Sequence, residues 1–287
     1  MPSPAPIPCG PRVLRFDGRP LVMGIVNVTP DSFSDGGRFL DPQAAISHGL
    51  KLVQAGADLL DVGGESSRPG AEPVAAEEEL RRVLPVIEGL ARYSAVPLSI
   101  DTTKAEVAGR ALEAGAALVN DISALRADPE LARVVARAGA PLVVMHMRGT
   151  PRDMQQGEIV YRDVVAEVRA FLEEALGRAE AAGIPRARVI VDPGLGLFGK
   201  SVAHNLALLA GLPALLELGR PLLVGPSRKA FLGKLLGAEV GERQWGTAAA
   251  VAAAVLHGAQ LVRVHDVREM RQVVEIAWAI RAEGKAP

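Results

Sequence analysis

Eight short apolar runs punctuate this chain, and each ends abruptly on polar or charged residues: LVMGIVNVTPD, DLLDVGGESSRPG, PLSIDTT, ALVNDIS, PLVVMHMRGT, RVIVDPGLG, PLLVGPSRK and LVRVHD. Runs this short and continuous read as strands buried on both faces. Between them lie stretches with apolar residues at helical spacing, such as AAISHGLKLVQAGA and AEVAGRALEAGA. The pattern predicts strands near 21–28, 58–62, 97–101, 117–121, 141–146, 188–192, 221–225 and 261–265. Helices are expected near 42–56, 76–91, 104–114, 129–138, 159–182, 202–210, 227–236 with 244–257, and 266–282. Gly and Pro stand at the joints, as Ala-Gly-Ala after helices and Val-Pro or Ala-Pro before strands. A buried strand followed by a helix and repeated eight times predicts an α/β fold with a parallel sheet, a single (β/α)8 TIM barrel.

In such a barrel the polar strand ends gather at one rim, the carboxyl edge of the sheet, where active sites sit. Two strand-to-helix loops are long: TPDSFSDGGRFL after the first strand and GGESSRPGAEPVAA after the second. Both carry Gly, Ser and charge with little apolar content, so they are expected to be mobile lids or substrate loops. Residues 1–20, rich in proline, are expected to form a tail or a cap over the barrel floor, and 21–287 the barrel.

Composition narrows the classes. A length of 287 residues suits one barrel, although two conventional domains would also fit. The net charge of −1 argues against a nucleic-acid binder. The longest apolar stretch, TAAAVAAAVLHGA, is too short for a bilayer and reads as a packed helix, so no membrane partner is expected. Cys9 is the single cysteine, which excludes an intrachain disulfide or a thiolate cluster. The opening MPSPAPIPCG lacks the basic start and apolar centre of a secretory signal, and a cytoplasmic enzyme is the expectation.

Two kinds of side chain meet at the expected rim. Asp101, Asn120, Asp192 and Lys229 bring carboxylates, an amide and an ammonium from four strands. Carboxylates beside an amide can read the donor–acceptor edge of a flat, guanine-like heterocycle. Arg68, Arg263 and His265, with Asn27 and Ser67, are cationic and hydroxyl groups suited to a polyphosphate. A competing signal is GLGLFGKS at 194–201, which matches the phosphate-loop pattern G-x-x-x-x-G-K-S and would make the chain a nucleotide hydrolase using Lys200. Against it, the motif lies on the sixth strand, and the next strand, PLLVGPSRK, offers no terminal Asp for magnesium.

The motifs MGIVNVTPDSFSDGG, GGESSRPGAEPV, SIDTTK, VND, MHMRGTP, DPGLGLFGK, SRKAFLG and RVHDV, in this order from Leu21 to Val267, resemble those of the dihydropteroate synthase family. The resemblance implies a (β/α)8 barrel, usually a homodimer, that joins a dihydropterin diphosphate to p-aminobenzoate and releases pyrophosphate. It implies pterin contacts at Asp101, Asn120, Asp192 and Lys229, with Met145 lining the pocket. Ser67, Arg263 and His265 match diphosphate contacts, and Asn27 matches the residue associated with Mg²⁺. Arg68, Ser227 and Phe198 are expected around the aminobenzoate, and Arg68, Lys229, Arg263 and His265 are expected to carry the chemistry. A pterin-binding methyltransferase barrel would share the heterocycle pocket without the diphosphate clamp. The chain departs from the family pattern at Ser67, where Thr is commoner, and at Ala230, where Ser is common. DPGLGLFGK is one residue longer than usual, which leaves Leu197 and Phe198 as alternatives for the residue facing substrate.

Overall fold

The computed structural model describes residues 3–29, 41–68 and 70–284. A hairpin of β1 (Ile7–Cys9) and β2 (Arg12–Leu14) precedes eight parallel strands: β3 (Leu21–Asn27), β4 (Leu59–Gly63), β5 (Leu98–Asp101), β6 (Leu118–Asp121), β7 (Leu142–Met145), β8 (Val189–Asp192), β9 (Leu223–Val224) and β10 (Leu261–Val264). Hydrogen-bonded neighbours run β8-β7-β6-β5-β4-β3-β10-β9. A parallel bridge between Val191 and Leu222, with the Val191 N–H donating to the Pro221 carbonyl at 2.9 Å, joins β8 to β9 and closes the cylinder. The helices are α1 (Pro42–Gln54), α2 (Ala76–Tyr93), α3 (Ala105–Glu113), α4 (Pro129–Ala138), α5 (Val164–Ala181), α6 (Val202–Leu215), α7 (Ala230–Leu236), α8 (Gln244–Leu256) and α9 (Val267–Glu283).

Strand side chains alternate between two sides, and here the two sides make two separate cores. Val22, Val26, Leu60, Val62, Ile100, Val119, Val144, Val191, Val224 and Val262 point outward and pack under the helices. The opposite parity, Met23, Leu59, Leu118, Val143, Ile190, Leu223 and Leu261, forms a buried layer inside the cylinder. Ile7, Cys9, Leu14 and Phe16 pack onto this layer, so the N-terminal hairpin plugs the barrel floor. Asp58 ties the same end together. It accepts hydrogen bonds from Arg19 Nη1 and Nη2, each at 3.1 Å, from Arg271 Nη1 at 2.9 Å and from the Val22 N–H at 2.8 Å.

Helix boundaries follow local chemistry. Asp41-Pro42 and Asp128-Pro129 start α1 and α4, each Asp accepting a first-turn N–H. The helix expected from 159 begins at Val164 instead, because Asp163 accepts the N–H groups of Val165 and Ala166 and so defines the first turn. The helix expected to stop near 210 runs to Leu215, through Pro213. Pro213 cannot bond the Leu209 carbonyl four residues back, and His257 Nδ1 meets that carbonyl at 2.8 Å. The seventh barrel strand is shorter than expected, only Leu223–Val224. Most of the first long loop, residues 30–40, lies outside the described residues, and with it the expected closure around Asp31 to Gly37.

Candidate active site

Moving two residues up each strand from the inner apolar layer keeps the same parity and reaches the rim. Leu59 leads to Asp61, Leu118 to Asn120, Val143 to Met145, Ile190 to Asp192, and Leu261 to Arg263 and then His265. The strand register confirms a shared face: Ile25 pairs with Asp61, Asp101 with Asn120, and Met145 with Asp192. Asn27 pairs with Gly63 at the top of β3 and β4, which places it on the same side. One period-2 pattern therefore turns an oily floor into a polar rim in a single step.

Arg263 is the hub of that rim. Its Nε donates to Asp61 Oδ2 at 2.6 Å and its Nη2 to Asp101 Oδ2 at 2.8 Å. Asn120 Nδ2 also donates to Asp61 Oδ2, at 3.0 Å. Burial opposes the Arg263 charge, but Asp61 and Asp101 raise its pKa above the ordinary value. Burial lifts Asp192 to about 6, against the pull of the Gly194 N–H and of the Lys229 and Arg263 charges. Burial also raises Asp101, with Arg263 opposing and Asp61 reinforcing. Lys229 is lowered to about 8 by burial and by the nearby Arg263 charge. A rim whose acids are raised and whose amine is lowered is poised to exchange protons and hydrogen bonds with a polar ring.

The loops complete the pocket. Arg228 takes a left-handed φ of 56°, its N–H donates to Thr247 Oγ1 at 3.0 Å, and its guanidinium pairs with Asp266. That turn sets Ser227 and Lys229 on either side of a fixed backbone point. Ser227 Oγ accepts the His265 N–H at 3.2 Å and lies 2.9 Å from His265 Nδ1. Lys229 Nζ lies 4.5 Å from the centre of the Phe198 ring. Phe198 is buried with Met145, Met147 and Met154, whereas Leu197 is only partly buried. Ser67 is partly buried and Arg68 is exposed on the second loop, and the Arg68 charge reaches His265.

One expectation changes, and the alternative already disfavoured loses its anchor. His265 is not a cation in the free protein: burial, then Arg263, Arg228, Lys229 and Arg68, lower its pKa to about 3. It can meet an anion as a neutral N–H donor. Lys200, the anchor of the nucleotide-hydrolase alternative, is fully buried and donates to the carbonyls of His146, Gly194 and Phe198 at 3.3, 3.0 and 3.4 Å. An ammonium spent on three backbone carbonyls is not available to a phosphate.

The family described as pterin binding enzyme matches residues 23–265. The chain belongs to that family. It is 47% identical over 278 residues to the dihydropteroate synthase of Synechocystis sp., covering 96% of both chains. Among solved structures it resembles Xanthomonas albilineans dihydropteroate synthase with 4-aminobenzoic acid, at TM-score 0.90 and 50% identity, with all of each chain covered. The same enzyme in complex with 7,8-dihydropteroate matches at TM-score 0.86 and 48% identity, covering 99% of this chain and 100% of that one.

As a pterin-binding barrel, the chain holds one rim residue that sequence reasoning passed over. Asp61 is completely buried, is bonded by Arg263 and Asn120, and leaves its Oδ1 without a protein partner. A polar residue in mid-run of a strand read as buried on both faces was the available signal. A second overlooked cluster supports the second loop. Lys104 pairs with Glu65 and, at 2.5 Å, with Glu79 of α2, while Arg82 Nη1 donates to the Gly64 carbonyl at 2.8 Å.

Proposed function

We infer that the chain condenses (7,8-dihydropterin-6-yl)methyl diphosphate with p-aminobenzoate, giving 7,8-dihydropteroate and pyrophosphate. The observation that carries this reading is the Asp61–Arg263–Asp101 hub. It joins carboxylates and Asn120, suited to a pterin edge, to Arg263 beside His265, and we assign Arg263, His265 and Ser67 to the anionic tail. In this reading Asp101, Asn120, Asp192 and Lys229 hold the ring, Met145 lines that pocket, and Phe198, Ser227 and Arg68 bound the aminobenzoate. The bond from the pterin methylene to the diphosphate oxygen breaks, and both electrons leave with pyrophosphate. The aminobenzoate nitrogen forms the new bond to the methylene and then loses a proton to solvent. Donors aimed at the leaving oxygens stabilise charge that grows as the bond breaks, which is where binding energy lowers a barrier. Arg263 is pre-aimed by its two carboxylates, and neutral His265 adds an N–H without needing to be protonated first.

We propose Mg²⁺ as the companion of the diphosphate, with Asn27 supplying one amide oxygen. Among the described residues no group of three or more His, Cys, Asp or Glu is arranged to hold a metal. A hard ion bound by one protein oxygen and by substrate phosphates suits such a rim, and when bound it neutralises leaving-group charge. We also propose a homodimer through α7–α9, where Leu235, Leu236, Val240, Trp245, Ile276 and Ile280 are exposed. No helix among the described residues is long and apolar enough to cross a membrane. A cytoplasmic setting fits the unpaired, buried Cys9.

The deciding assay is pyrophosphate release by the purified chain. Release is expected only with pterin diphosphate, p-aminobenzoate and Mg²⁺ together. Pterin binding with no release in that mixture would refute the reading.

A further inference from the structure

Among the described residues Lys200 is the largest fully buried side chain, and the reaction proposed above gives it no role. It sits at the crossing of two loops. The Gly194 carbonyl belongs to the loop after β8, the His146 carbonyl to the loop after β7, and the Phe198 carbonyl to the residue whose ring lies beside Lys229 Nζ. At this crossing the backbones touch: Gly194 has a φ of +66°, and a Cβ there would lie 2.0 Å from the His146 oxygen. The same Gly194 donates its N–H to Asp192 Oδ1 at 2.7 Å. One nitrogen thus lies a single backbone step from the Asp192 carboxylate and a single backbone step from the Phe198 ring. Asn205 of α6 and Tyr161 hold the intervening turns, through Gly196 and Gly199.

We propose that Lys200 is a positioning residue, which fixes from behind both the carboxylate that grips the pterin and the ring that walls the aminobenzoate site. This rests on the reading of the site given above. The G-x-x-x-x-G-K-S likeness is then an inside-out use of the same chemistry: glycines bring carbonyls to a lysine, rather than N–H groups to a phosphate. Burial lowers the Lys200 pKa to about 7, with Asp192 opposing; the ammonium donates to all three carbonyls, and the neutral amine keeps two N–H donors. The lysine is needed for the bonds it makes to three carbonyls, which water cannot reach to replace.

The test compares Lys200→Met, similar in length and without donors, with Lys200→Gln, which keeps an N–H pair. Amide hydrogen exchange over residues 193–200 should quicken in Lys200→Met while the outer strands and helices stay protected. KM for p-aminobenzoate should rise about tenfold, the size of a lost buried hydrogen-bond set, with a smaller fall in kcat. Lys200→Gln should recover part of both effects. In a Phe198→Ala background, Lys200→Met should add little to KM for p-aminobenzoate, because the two changes act through one ring. Unchanged exchange over 193–200 would overturn the proposal. So would a lowered Tm with both KM values and kcat intact, or full additivity with Phe198→Ala. If the parent chain releases no pyrophosphate, the functional reading fails, and the exchange measurement still decides whether Lys200 orders this loop.

Discussion

At the scale of single residues, the site is set by how far burial moves each proton. Asp192 sits at about 6, and burial raises Asp101 in the same direction. Between the ordinary carboxylate value of about 4 and that of the folded site, the unfolded chain is ionised while the native rim keeps its proton. Folding therefore takes up protons in this window. Asp192 lowers stability as pH climbs from about 4 to about 6, and its contribution is constant above that. Function moves the other way, because a pterin N–H needs an ionised acceptor. We predict that kcat/KM for the pterin diphosphate rises with pH while Asp192, at about 6, and Asp101, at about 7, ionise, and levels off above about pH 7. A profile flat down to pH 5 would refute this, and Asp192→Asn should make the acid limb shallower while weakening binding. Most rim residues were readable because a polar group ending an apolar strand has few other uses. Asp61 was not, since its partner Arg263 lies 202 residues away and only the closed cylinder brings them together. His265 was read as a cation because sequence shows a residue type but not its burial, nor the three arginines and the lysine that crowd it.

At the scale of elements, the second loop is fastened by a buried charge cluster rather than by an apolar anchor. Glu79 of α2 is fully buried, yet its Oε2 meets Lys104 at the start of α3, and Lys104 also reaches Glu65 in the loop. Burial raises the pKa of Glu79, with Lys104 opposing. Removing one member of a buried pair strands the other and typically costs about 3–5 kcal/mol. Lys104→Met should therefore lower Tm markedly and raise KM for p-aminobenzoate, since Ser67 and Arg68 ride on the freed loop. Adding Glu79→Gln should restore much of the lost stability by removing the stranded charge, but not the KM. Thermal unfolding with steady-state kinetics reads both effects, and a double variant no more stable than Lys104→Met would count against the clamp. The strand–helix alternation itself was plain from hydropathy, including the paired helices α7 and α8 between the last two strands. The N-terminal hairpin was less legible, because two strands of three residues in a Pro-rich segment are too short to show a period. Its role as a plug comes from Ile7, Cys9, Leu14 and Phe16, which become a set only against the barrel floor.

At the scale of the whole molecule, two parities of the same strands give an outer core, an inner floor and a reactive rim, so stability and function are built on different faces of one sheet. The outer helical ring then has one stretch that the barrel does not need. Trp245 is 82% exposed at the start of α8, Leu235 and Leu236 are each 55% exposed at the end of α7, and Ile276 and Ile280 are exposed on the adjoining α9. Leu236 lies against the Gly246 turn, so α7 and the start of α8 form one patch rather than scattered positions. Exposed aromatic and aliphatic groups clustered in this way are unfavourable in water and mark a face that another protein surface covers. A second copy of this chain is the partner we propose for it. Trp245→Glu should shift the chain from dimer to monomer in sedimentation, because a central Trp commonly carries about 2 kcal/mol or more of an interface, roughly thirtyfold in Kd. Every rim residue named here comes from one chain, so the monomeric variant should still bind pterin. A parent chain that sediments as a monomer at micromolar concentration would remove the dimer, and the patch would then need another partner.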